Sequence, residues 1–189
     1  SDLAYGALGY QGYENPSFLS TPGAKDVGIE FYTFSKTFNM AGWRLAFAAG
    51  NEQMIEALNL IQDHLFVGIF PALQEAGIAA LLDPKSEEAV AQLNATYDGR
   101  RDAFVQAAAK IGWQAFPSRG SFYAWMPVPE GDTSESFADL LLEKAHVAVA
   151  PGKGFGPAGD AYVRIGLLVE PERLVEAVNR IANLHLFNN

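Results

Sequence analysis

Residues 86–111 run without a proline, and Val90, Leu93, Tyr97, Phe104 and Ala108 recur there at helical spacing. The pattern predicts one long helix with a single apolar stripe, interrupted only by Gly99 in its middle. That is about twice the usual helix length, enough to join two lobes. The texture of the chain differs on its two sides. Before it, residues 29–34 are β-branched and aromatic and follow the turn residues Thr21, Pro22 and Gly23, which predicts a buried strand ending at Ser35. Residues 45–49 predict a second core strand of the same sheet, closed by Gly50. Asn51 then caps a helix carrying Met54, Ile55, Leu58 and Ile61, and Pro71 opens another that stops at Asp83 and Pro84. After Gly112 short strands are expected over 113–116, 121–126, 147–150 and 162–167, with helices over 134–144 and 172–184: a compact α+β module. The expected division is 1–88 and 89–189, inside the long helix.

A chain of 189 residues with 49% hydrophobic and 19% charged content can bury a substantial core. Its net charge of −9 argues against nucleic acid or an anionic membrane as a general partner, so any anion site must be built from particular arginines. The absence of cysteine removes disulfides, thiolate nucleophiles and zinc-thiolate sites, and is compatible with the cytoplasm. No apolar run approaches the roughly 18–20 residues needed to span a bilayer. The abrupt start at Ser1 and Asp2 suggests a fragment or a processed product. His64, His146 and His185 are scattered without partner spacing, so no metal site is expected.

The chemistry concentrates in Thr33-Phe34-Ser35-Lys36-Thr37-Phe38-Asn39-Met40-Ala41-Gly42-Trp43-Arg44. A lysine just beyond a buried strand, among aromatic residues and near a second cation, suits imine formation, because partial desolvation and like charge favour the free amine. An arginine with hydroxyl residues close by suits a phosphate, since the guanidinium offers a bidentate fork and the hydroxyls neutral donors. Far downstream, Arg164 lies in the apolar run Tyr162-Val163-Arg164-Ile165-Gly166, where a guanidinium calls for an anionic partner.

Together these residues closely resemble the pyridoxal 5'-phosphate (PLP) aminotransferases of fold type I, class I/II. The lysine is followed eight positions later by Arg44 and preceded by Thr33 and Ser35, and the family's Asp-x-Ala-Tyr signature appears as Asp2-Leu3-Ala4-Tyr5. The run Ala150-Pro151-Gly152, Phe155-Gly156, Gly159 and Arg164 also follows the family pattern. The resemblance implies an α/β fold: the C-terminal part of the three-layer α/β/α PLP-binding large domain, followed by an α+β small domain. It makes Lys36 the covalent cofactor anchor and general base, Asp2 the partner of the pyridinium nitrogen and Tyr5 a donor to the ring's phenolic oxygen. Thr33, Ser35 and Arg44 become phosphate ligands, and Arg164 the ligand of the substrate carboxylate.

The glycines of Gly152-Lys153-Gly154-Phe155-Gly156 lack the setting of a phosphate-binding P-loop and are expected to form a tight, mobile loop near the substrate. The strand carrying Phe122 and Tyr123 is expected beside the substrate side chain. Residues 59–64 and 141–152 look most like methionine-salvage enzymes that aminate 4-methylthio-2-oxobutanoate, and a thioether substrate would suit an apolar pocket. The alternatives are a carbon–sulfur lyase of the same fold or a catalytically incomplete aminotransferase-like domain. Family members are about twice as long and are usually homodimers. This chain alone is therefore expected to bind PLP weakly and turn over little.

Overall fold

A computed structural model describes residues 1–116 and 118–187, and their contacts divide the chain into two compact units, Ser1–Asn94 and Ala95–Asn189. The first unit contains helix α1 (Ala24–Val27), strand β1 (Ile29–Thr33), the one-turn helix α2 (Phe34–Thr37), strand β2 (Ala46–Gly50) and helices α3 (Glu52–Leu65) and α4 (Pro71–Leu82). β1 and β2 pair antiparallel, from Ile29 opposite Gly50 to Thr33 opposite Ala46. The N-terminal residues add a parallel edge to β1: Leu3 N donates to Phe31 O at 2.8 Å, Phe31 N donates to Ser1 O at 3.0 Å, and Asp2 bridges Phe31.

Both strands are expected to be buried, yet Phe31 and Phe47 remain 39% and 42% exposed. Their register puts the two rings on opposite faces of the pair: Phe31 lies across from Ala48, and Phe47 from Tyr32, on which it stacks at 5.2 Å. The apolar ends are better enclosed. Phe34 is buried under α4 at Gly77, where a side chain would press on Phe34 and Leu45. The helix starts are those expected. Asn51 Oδ1 accepts from Met54 N at 3.1 Å to cap α3, and Pro71 occupies the first turn of α4, where its missing N–H leaves no bond unmade.

Helix α5 (Ser86–Lys110) crosses the division between the units, which falls between Asn94 and Ala95. Gly99 does not interrupt it. In the second unit, strand β3 (Tyr123–Pro127), helix α6 (Ser134–Leu140), strand β4 (Ala150–Pro151), strand β5 (Tyr162–Gly166) and helix α7 (Pro171–Ala182) follow in order. The strands form an antiparallel sheet in the order β3-β5-β4. Burial alternates along β3 and β5, sending Ala124, Met126, Val163 and Ile165 into the core and leaving Tyr123, Trp125, Tyr162 and Arg164 on the other face.

Trp113 centres that core. It stands edge-on to Phe104 and Phe137, stacks on Phe187 with ring centroids 5.1 Å apart, and donates its indole N–H to Pro127 O at 2.7 Å. This inward turn explains why residues 113–116 contribute only the bridge of Phe116 to Trp125 rather than the expected strand. The helix expected over 134–144 changes at Leu141 into a π-helical turn (Leu141–Ala145) that ends on left-handed His146. The strand expected over 147–150 shrinks to Ala150 and Pro151, the two residues that pair with β5, and is followed by a 3₁₀ turn (Gly152–Phe155).

Candidate active site

Lys36 sits on α2 directly after β1, half-buried between buried Ser35 and Thr37. Ser35 is not on the strand as expected. Thr33 ends the strand with extended backbone and caps the helix: its Oγ1 accepts from Ser35 N at 3.2 Å and donates to Ser35 Oγ at 2.9 Å. The two hydroxyls therefore meet by capping geometry rather than by strand alternation. On the other side of the turn, Tyr32 donates its hydroxyl to Thr37 Oγ1 at 2.7 Å.

Arg44 reaches this turn through the backbone. The β1–β2 pairing continues past Thr33 as Phe34 N donating to Leu45 O at 3.2 Å, which sets Arg44 beside the segment holding Ser35 and Lys36. Arg44 adopts left-handed backbone (φ 53°, ψ 46°) and donates through Nη1 to Ala41 O at 3.1 Å. Its side chain is exposed and forms no ion pair with a described carboxylate. It borders a cavity of about 460 Å³ with Phe31, Phe47, Asn59 and Gln62, and a second cavity of about 390 Å³ borders Tyr32, Thr37 and Phe38; Lys36 lines neither.

Asp2 is exposed on the parallel edge beside Phe31. Tyr5 is half-buried in the turn that follows. Its carbonyl accepts from Leu8 N at 2.9 Å and from Asn15 Nδ2 at 3.0 Å. Asp2, Tyr5, Thr33, Ser35, Lys36 and Arg44 thus all belong to the first unit, on or next to β1 and the turn beyond it; Arg164 belongs to the second.

Glu30, an acidic residue in the middle of β1, is a site that sequence reasoning passed over. It is only 6% exposed, and its carboxylate accepts from Ser17 Oγ at 2.6 Å, Phe18 N at 2.7 Å and Ser1 Oγ at 3.0 Å. Burial raises its pKa, but these three bonds outweigh burial and hold it below the ordinary carboxylate value. A charged residue inside an apolar strand run was the available signal.

In the second unit Arg164 has no ion pair among the described residues, although its place in an apolar strand called for an anion. Two aromatic rings take that place: Cζ lies 4.1 Å from the ring centre of Tyr123 and 4.2 Å from that of Phe155. Phe122, the other expected substrate neighbour, is buried, its ring against Tyr97 at 5.1 Å and Tyr123 at 4.9 Å.

The glycine loop is pinned rather than loose at its roots. A side chain on Gly152 would collide with the carbonyls of Gly159 and Tyr162, and one on Gly159 with the carbonyl of Gly152. Fully buried Ser134 donates its hydroxyl to Asp160 Oδ1 at 2.8 Å and accepts from Lys153 N at 3.2 Å. Hydrogen bonds from Ser134 lower the Asp160 pKa, and the Glu135 carboxylate, 2.8 Å from Lys153 Nζ, raises that of the lysine. Nothing in the spacing of the sequence announced this clasp.

Residues 1–181 match the family model "Aminotransferase class I and II", and the chain belongs to that family, whose members depend on PLP. It is 59% identical over 186 residues to the L-glutamine--4-(methylsulfanyl)-2-oxobutanoate aminotransferase of Bacillus subtilis (strain 168), covering 98% of this chain and 46% of that protein. It is 47% identical over 180 residues to the LL-diaminopimelate aminotransferase of Moorella thermoacetica, covering 95% of this chain and 46% of that protein. Among solved structures, apo BacF from Bacillus subtilis superposes with a TM-score of 0.93 at 46% identity, over 100% of this chain and 48% of that one. The chain spans about half the length of the relatives it matches. Among the described residues no helix is long and apolar enough to cross a membrane.

Proposed function

We propose that the full-length protein carrying this chain is a PLP-dependent aminotransferase that moves an amino group between an L-amino acid and a 2-oxo acid. The observation that carries the reading is the turn after β1, where Lys36, the Thr33–Ser35 hydroxyl pair and Arg44 are drawn together by one helix cap and one backbone hydrogen bond. The donor set fits PLP. Arg44 is a guanidinium that no described carboxylate neutralises, and with two hydroxyls it suits a phosphate dianion. Lys36 offers an amine half-withdrawn from water, and Asp2 a carboxylate for a protonated ring nitrogen. When bound, the cofactor supplies the aldehyde and the electron-withdrawing ring.

The residues would then divide the work. Arg164 holds the substrate carboxylate through in-plane N–H donors, which fixes the orientation of the α C–H bond. Lys36 Nζ takes the α-proton and later returns it. Asp2 keeps a proton on the ring nitrogen, and Tyr5 donates from its phenolic hydroxyl. Identity to the glutamine-dependent relative supports 4-(methylsulfanyl)-2-oxobutanoate as amino acceptor. The resemblance further implies a homodimer, and a chain without cysteine is compatible with the cytoplasm.

The test is reduction of the full-length, PLP-loaded protein with borohydride followed by peptide mapping, alongside transfer from glutamine to that 2-oxo acid. The expected result is a single adduct at Lys36 and loss of transfer by at least a thousandfold in Lys36→Ala. An adduct on another residue overturns the assignment.

A further inference from the structure

We infer that Tyr123 and Phe155 are positioning residues for Arg164, and that their rings make it selective for a planar carboxylate; this rests on the reading that Arg164 binds the substrate carboxylate. The guanidinium carbon lies over both rings, at 4.1 Å and 4.2 Å, and no described carboxylate pairs with it. Rings stabilise a cation through their quadrupoles without consuming its N–H donors, so the positive charge is held in place and remains available to an anion. Carboxylate oxygens lying in the guanidinium plane meet the open edge. A tetrahedral anion sends at least one oxygen out of that plane, toward a ring.

Each ring is held by a different device. Tyr123 stands opposite Gly166 in the β3–β5 register, diagonal to Arg164, and its ring leans over the guanidinium. Phe155 is 53% exposed and ends the 3₁₀ turn that begins at Gly152. It meets Trp125 edge-on at 5.9 Å, and Trp125 stacks on Tyr162 at 5.5 Å. The Gly152–Gly159 contact and the Ser134–Asp160 bond anchor the base of that turn.

Calorimetric binding of 4-(methylsulfanyl)butanoate and of the sulfonate with the same chain and charge, to the full-length PLP-loaded protein, tests this. Phe155→Leu keeps apolar volume but removes the ring face. It is expected to weaken carboxylate binding about three- to tenfold and sulfonate binding less, so that the carboxylate-to-sulfonate ratio falls at least threefold, while Phe155→Tyr restores it. Because the side chain is largely exposed, thermal stability should stay unchanged. If Phe155→Leu preserves both affinities and their ratio, the clamp is wrong even where Arg164→Lys loses binding; if Arg164→Lys also binds normally, the carboxylate assignment itself fails.

Discussion

Ser17 donates its hydroxyl to Glu30 Oε1 across 2.6 Å, tying the segment before α1 to the middle of the strand that leads to Lys36. Because the folded carboxylate titrates below its ordinary value, its contribution to stability is fully present above the unfolded carboxylate pKa of about 4.3 and is lost as pH falls through the folded pKa. Glu30→Gln should therefore lose most stability near neutrality, and its deficit should narrow below about pH 4. Glu30→Ala, which also strands the Ser17, Phe18 and Ser1 donors, should cost about 3 kcal/mol at pH 7. Urea denaturation at several pH values measures both; a deficit that does not change with pH rules out the charged role.

Gly99 occupies the interior of α5 with nothing within 4 Å of where a side chain would begin. Gly99→Ala should stabilise the chain by about 0.5–1 kcal/mol, raising Tm by about 1–4 °C. A fall in Tm would reveal a contact that the open space does not show.

Trp113→Phe removes the donor to Pro127 O and leaves a void beside Phe137 and Phe187. The expected cost is about 2–3 kcal/mol by urea denaturation, whereas half-exposed Trp125→Phe should cost less than about 1 kcal/mol. Equal losses would contradict the central place given to Trp113.

Thr33→Val deletes both the cap of α2 and one hydroxyl, while Ser35→Ala deletes a hydroxyl alone. In the full-length protein the first should weaken PLP binding about tenfold and the second about threefold, read by absorbance titration. The reverse order would shift the weight of phosphate binding to Ser35.

Much of the proposed site was legible because it is local. Lys36, Thr33, Ser35 and Arg44 lie within 12 residues, and the strand end, the hydroxyls and the spacing to arginine are visible in the order of residues. The long helix was legible for the same reason, since a proline-free stretch with a 3.6-residue stripe has few alternatives. Tertiary competition hid the rest. Residues 113–116 had the composition of a strand, but burying the Trp113 indole between aromatic rings and satisfying its N–H at Pro127 outweighed local preference. The Ser134–Asp160 bond joins residues 26 positions apart, and the rings over Arg164 come from two different segments, so no local pattern announces either.

The mutual closeness of Gly152 and Gly159 also governs how this loop can drift over generations. Neither position can take a side chain without displacing the other's backbone, whereas Gly154 has open space around its α-carbon. In a library randomised across 152–159, surviving clones should therefore keep both root glycines as a linked pair and scatter at 154, so that variety in the loop accumulates at its tip.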